Sequence, residues 1–191
     1  MMRLLTLYAR SRGVPAALVL LPVVVLAAWS ALHSPWTPLS VTLTSLAAVL
    51  VITAGLAGQD PELDATTAVP WPVWRFGHLL LAAVLAAVAV VLVQHLGQER
   101  FDAAFVVRNT AGLVGLAGLT AAAAGARFAA AAPVLWWAVG AIMPPGPRSV
   151  AGRIVAWPFG PFDDRVATWT AAVLVVIGIA AYSARGGRRG G

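Results

Sequence analysis

Six apolar runs follow one another along the chain: Val14 to Leu32, Ser40 to Gly58, Gly77 to Leu96, about Ala103 to Ala124, Phe128 to Met143 and Val166 to Ala184. Five are close to the roughly 20 apolar residues that a helix needs to cross a bilayer, whereas Phe128 to Met143 is interrupted by Pro133 and short for a full crossing, and is expected to tilt little or to be partly broken; none of the six contains an Asp or a Glu. Six crossings use on the order of 120 of the 191 residues, which leaves no room for a separate soluble domain. The composition agrees, with 60% hydrophobic and only 10% charged residues, where a soluble domain carries about 25% charged residues. The expected fold is therefore all-α: a polytopic membrane protein of six transmembrane helices forming one domain over residues 1–191.

Missing residue types exclude whole chemistries. All 13 basic residues are Arg, and there is neither Lys nor Cys. A Walker A lysine, Schiff-base chemistry, disulfides and thiolate metal sites are thereby ruled out. The formal charge of +6 does not indicate nucleic acid, because the Arg residues flank apolar runs instead of clustering with aromatic or polar partners on one face. They read as membrane anchors and topology signals. All-Arg usage with abundant Ala, Val and Gly also fits a high-GC bacterial genome.

The first run follows Arg3, Arg10 and Arg12 and has a passable cleavage sequence at Ala28-Trp29-Ser30. It exceeds the 7 to 15 apolar residues of a signal peptide, so it is read as a retained first span. An even number of crossings puts both termini on one side. That side holds Arg3, Arg10, Arg12, Arg75, Arg127, Arg185, Arg188 and Arg189, against Arg100, Arg108, Arg148, Arg153 and Arg165 opposite. The eight-to-five bias predicts cytoplasmic termini in a bacterial cytoplasmic membrane. Residues 1–13 then form an interfacial start and 185–191 a basic cytoplasmic tail. Trp71 and Trp74 mark the inner boundary, and Trp29, Trp36, Trp157 and Trp169 the outer one.

A proton- or sodium-driven carrier normally keeps a carboxylate at membrane depth. Here Asp60, Glu62 and Asp64 fall in one loop, Glu99 and Asp102 in another, and Asp163 and Asp164 just before the last span. His33, His78 and His95 sit at span ends, where interfacial residues are expected and no metal set converges. Autonomous ion coupling, acid–base or metal-dependent intramembrane hydrolysis and a bound cofactor are all disfavoured, and the chain is not expected to be an enzyme.

The cytoplasmic loop, residues 59–76, carries a helix signature. Asp60 suits an N-cap, Pro61 the first helical position, Glu62 and Asp64 the positive helix end, and Pro70 with Pro72 the stop. A surface helix of about two turns follows, either without a partner or as a coupling helix whose tip, Asp60 to Asp64 with Leu63, docks on another subunit.

The arrangement of a basic start, six spans, a capped helix between spans two and three and a longer outer loop before span six resembles the permeases of ABC-type exporters. Asp60-Pro61-Glu62-Leu63, Thr66-Thr67, Trp74-Arg75 and His78-Leu79-Leu80 resemble membrane subunits of actinobacterial ABC systems. Arg108-Asn109-Thr110 leading into Gly112-Leu113-Val114-Gly115-Leu116-Ala117 does so too. The resemblance implies a separate ATP-hydrolysing subunit on the Asp60 loop, a second copy or related membrane subunit as the other half, and an outer-mouth role for residues 144–165. There Ser149 to Ala156 reads as a short re-entrant or interfacial helix, or as part of an aromatic loop resting on headgroups. Arg108, Trp157 and Phe159 are the candidate outer-mouth or anion contacts, with Arg108 otherwise expected to snorkel outward. Gly112, Gly115 and Gly118 form a small-residue stripe for helix packing, within the chain or against a partner. The alternative to a transport subunit is a non-transporting scaffold or regulatory subunit of a membrane complex.

Overall fold

The computed structural model describes residues 14–32, 36–56, 71–96, 100–143 and 149–185. Seven α-helices run in the order α1 (Val14–Leu32), α2 (Pro38–Thr53), α3 (Trp71–Gln94), α4 (Ala103–Ala124), α5 (Ala131–Ala141), α6 (Val150–Val155) and α7 (Arg165–Arg185). Short 3-10 turns cover Ala54–Leu56, Ala126–Phe128 and Trp157–Phe159. Of the described residues 87% are helical and none is in a strand. Helices α1, α2, α3, α4 and α7 are long and apolar enough to cross a membrane. Their outward faces are apolar too: Val176, Val19 and Trp169 are exposed by 66%, 65% and 71%. Such a surface belongs in lipid, and the chain is an all-α polytopic membrane protein.

Local chemistry sets the helix ends. Thr37 caps α2 reciprocally: its hydroxyl accepts from the Ser40 amide at 3.2 Å, while the Ser40 hydroxyl accepts from the Thr37 amide at 2.7 Å, with Pro38 at the first helical position. Asp102 caps α4 by accepting from the Ala104 amide at 2.7 Å. Gly125, at φ 107°, ends α4 in a conformation that a side chain would strain. Inside α2, Thr44 and Ser45 are fully buried and donate to the carbonyls of Ser40 and Val41, which keeps their hydroxyls satisfied in an apolar interior.

The number of crossings follows from helix direction. Near the start of α4, Arg108 reaches Pro161, just ahead of α7, and further along Gly115 and Gly118 meet Leu174 and Gly178. The two helices therefore run parallel, and the chain between them must return across the bundle once. That return is made by the 3-10 turn Ala126–Phe128 and α5. Trp137 of α5 donates to Thr42 in the first half of α2, whereas the last turn of α7 meets the 3-10 turn that follows α2 through Tyr182 Oη donating to the Leu56 carbonyl at 3.1 Å. The described chain thus makes six traverses. Val14 and Arg185 lie at one end of the bundle, here the terminal end, and α6 lies at the other, the distal end.

The fifth traverse is broken, in line with an apolar run that is short and interrupted by Pro133. The expected Phe128 to Met143 segment holds only the eleven residues of α5 as α-helix, about 16 Å of rise. Pro133, in the first turn of α5, has no amide hydrogen to donate to a carbonyl of the preceding turn, which disfavours extending the α-helix backwards through it. Two other expected boundaries shift: α3 begins at Trp71 instead of Gly77, and α2 ends at Thr53 in a 3-10 turn.

Two buried clusters fill the bundle. One joins α2, α3, α4 and α7 around Leu46, Leu79, Leu113 and Tyr182, with Trp157 inserted from the distal end. The other joins α1, α2, α3 and the start of α4 around Val25, Val41, Val90 and Phe105. Both include α4 and α2, the most deeply buried of the spans.

Candidate functional site

The residues with the densest polar contacts lie where the distal segment 149–164 meets α4. Ser149 caps α6 by accepting from the Gly152 amide at 3.1 Å, and Pro158 starts the tight turn Trp157–Phe159. That turn brings several backbone carbonyls together, and Arg108 is aimed at them. Its Nη1 donates to the Pro161 carbonyl at 2.6 Å, and its Nη2 donates to the carbonyls of Gly160 at 2.6 Å and Trp157 at 3.5 Å. Asn109 Nδ2 donates to the Pro158 carbonyl at 2.9 Å. The Arg108 guanidinium also lies 5.1 Å from the centre of the Phe105 ring.

The expectation that Arg108 snorkels outward is not met, because the side chain turns inward and is 8% exposed. The reason is geometric. The turn gathers the carbonyls of Trp157, Gly160 and Pro161 within reach of one side chain, and the forked guanidinium donates to all three at once. Trp157, expected near the outer boundary, is fully buried instead, with its ring against Gly112. Phe159 packs beside Trp137, ring centres 5.9 Å apart, and against Gly140. Arg108, Trp157 and Phe159 are thus brought together, as parts of one clasp.

Side chains not singled out in the sequence complete it. Trp136 Nε1 donates to the Val155 carbonyl at 3.0 Å and ties α6 to α5. Asp164 caps α7, its Oδ1 accepting from the Val166 amide at 2.8 Å and the Ala167 amide at 3.3 Å. The same carboxylate is paired with Arg153 of α6, whose Nε lies 3.1 Å from Oδ2 and whose Nη2 contacts Oδ1. The hydrogen bonds from Arg153 hold the Asp164 carboxyl below its ordinary range, with the two backbone donors adding to the effect. The same bond raises Arg153 above its ordinary value. The segment is therefore bound to α4 by Arg108 and Asn109, to α5 by Trp136 and to α7 by Asp164.

The three glycines of the stripe meet three different neighbours within this chain. A Cβ on Gly112 would enter the Trp157 ring, with Cζ3 at 2.9 Å. One on Gly115 would fall on the Leu174 carbonyl, and one on Gly118 would lie 2.8 Å from Leu79 Cδ2 and 3.0 Å from the Gly178 carbonyl oxygen. Gly178 answers Gly115, since a Cβ there would fall on the Gly115 carbonyl oxygen. Asp60, Pro61, Glu62, Leu63 and Asp64, the candidate coupling residues, lie outside the described residues, as does His33. Among the described residues no group of three His, Asp or Glu is placed to hold a metal ion.

Chemically the arrangement is a clasp that closes one end of the bundle with charged and amide donors on backbone carbonyls. Comparison of the chain with protein families, with curated proteins and with solved structures gives no match.

Proposed function

We propose that this protein is the transmembrane permease subunit of an ATP-driven exporter of the ABC type, energised by a separate ATPase that docks on the loop between α2 and α3. The observation that carries the reading is mechanical. Helices α4 and α7 are locked backbone to backbone at Gly115 and Gly178, and the distal segment is tied to the first by Arg108 and to the second by Asp164. A displacement applied at the terminal end would reach the distal end through that pair as a rigid body, because close-packed interiors transmit strain instead of absorbing it. The linking sequence with Asp60 to Asp64 leaves α2 and rejoins α3 at that terminal end, so force from a docked subunit enters where the helices begin and end.

The Arg bias supports assigning the terminal end to the cytoplasm of a bacterial cell, with both termini there. The carboxylates of the sequence fall outside the apolar runs, which favours an external energy source over ion coupling. Six traverses make half of a pathway, and a second copy or a related membrane subunit would supply the other half. The test is purification of the tagged chain from its native membrane with an assay for bound ATPase. Co-purification of a hydrolysing subunit in fixed proportion is expected. A chain isolated without any ATPase, from membranes in which it is intact, would favour a scaffold role instead.

A further inference from the structure

Near the terminal end, α1, α2 and α3 leave a notch of about 50 Å³, lined by Leu18, Leu21, Ile52, Leu81, Leu85 and His78 among others. Its walls are hydrocarbon apart from His78, and it opens between α1 and α3, where Leu18 and Leu81 are each about half exposed. The α3 residues lining it, His78, Leu81, Ala82 and Leu85, recur at helical spacing. Extended one turn towards the helix start, the same stripe reaches Arg75 and Trp74. Arg75 is half-buried and makes no ion pair among the described residues. The Arg and His side chains described at this end are Arg75, His78, Arg127 and Arg185, whereas the described carboxylates Asp102, Asp163 and Asp164 all lie at the distal end.

We propose that this notch is a binding site for an anionic phospholipid of the surrounding leaflet, with one acyl chain seated between α1 and α3 and the phosphate on Arg75. The chemistry fits each part. An open apolar notch of this size admits a few methylene groups of a chain that continues along the bundle surface, and a dry notch is filled more readily by hydrocarbon than by water. Arg75 pairs with a phosphate oxygen through its forked donors, and Trp74 lies near the start of the candidate span, where indole rings suit a membrane interface. An anionic headgroup is selected over a zwitterionic one because the bound head adds a net negative charge to an end whose described charges are positive. The site stands independently of the transport reading.

The purified full chain, delipidated in detergent, would be offered equal amounts of dioleoylphosphatidylglycerol and dioleoylphosphatidylcholine, and retained lipid counted by native mass spectrometry. Retention of phosphatidylglycerol several-fold above phosphatidylcholine is expected. Arg75→Gln should bring the ratio to near one, and Arg127→Gln should leave it as in the wild type. Ala17→Phe, which fills the notch from α1, should remove one tightly held lipid of either type. Equal retention by the wild type overturns the site. So does a preference that survives Arg75→Gln, the result expected if loop carboxylates such as Asp64 neutralise this arginine.

Discussion

Gly115 of α4 and Gly178 of α7 are reciprocal: a Cβ added to Gly178 falls on the Gly115 carbonyl, and one added to Gly115 falls on the α7 backbone at Leu174. Two parallel helices are thereby held at backbone distance in the middle of the bundle. In lipid, where the hydrophobic effect does not drive helices together, such close packing is a main source of association.

Gly178→Leu and Gly115→Leu should therefore each destabilise the bundle by about 3 kcal/mol or more, at or beyond the upper end of ordinary overpacking, because the obstruction is backbone and cannot rotate away. Gly77→Leu on α3, where a Cβ meets nothing within 4 Å, is the control. Unfolding of the purified variants in detergent by increasing denaturant checks this, and comparable midpoints for all three would contradict it.

Arg108→Gln should loosen the distal clasp. It leaves the partly exposed carbonyls of Gly160 and Pro161 without their charged donor, a loss of roughly 1 kcal/mol. Amide hydrogen exchange across Val150–Phe159 should accelerate while exchange in the α7 core stays slow. Arg108→Lys should fall between the two, since an ammonium group cannot present a planar fork to several acceptors. Unchanged exchange in Arg108→Gln would show that the clasp does not depend on this side chain.

The clasp should also weaken in acid. Asp164 has its carboxyl pKa lowered by Arg153, so its contribution is fully present above the ordinary carboxyl value of about 4 and is lost as pH falls through the depressed native value. The matching shift on Arg153 is upward and acts only in strong alkali, outside the working range. Asp164→Asn keeps an N-cap for α7 but removes the charge, so it should flatten the acid limb of melting temperature against pH. A limb of the same slope in this variant would place the acid sensitivity elsewhere.

Hydrophobic runs located five of the traverses closely, because an uncharged stretch of about 20 residues has few alternatives to a buried or lipid-facing helix. The start of α3 was less legible. Arg75 and two prolines suggested loop, yet Pro72 is tolerated in a first turn and Arg75 can lie along an interfacial helix face. At the fifth traverse, length alone could not reveal that a short helix is completed by a 3-10 turn. The clasp was legible only in part: three successive polar residues, Arg108-Asn109-Thr110, in an Ala- and Gly-rich helix signal a demand for partners. The acceptors, however, are turn carbonyls about fifty residues further on, and no side-chain pattern announces a carbonyl. Asp164 had a visible cue in its place before the last span, where a carboxylate suits the helix end.

Cysteine labelling should read out the topology without background, since the chain has no native Cys. With cytoplasmic termini, single cysteines at Ser11, Ala65 and Ala184 should resist a membrane-impermeant maleimide in intact cells and react after permeabilisation. One at Ser149 should react in intact cells. The opposite pattern would invert the orientation, and a split between Ser11 and Ala184 would overturn the six traverses.

The proposed coupling role of the loop is tested most directly by the double change Asp60→Ala with Leu63→Arg, which removes the N-cap expected from the sequence and places a charge on the proposed docking contact. The quantity to measure is the amount of ATPase subunit retained by the purified chain, alongside the melting temperature of the six-traverse bundle. The account predicts severe loss of the ATPase at an unchanged melting temperature. Full retention of the ATPase by a double variant that is folded would contradict it.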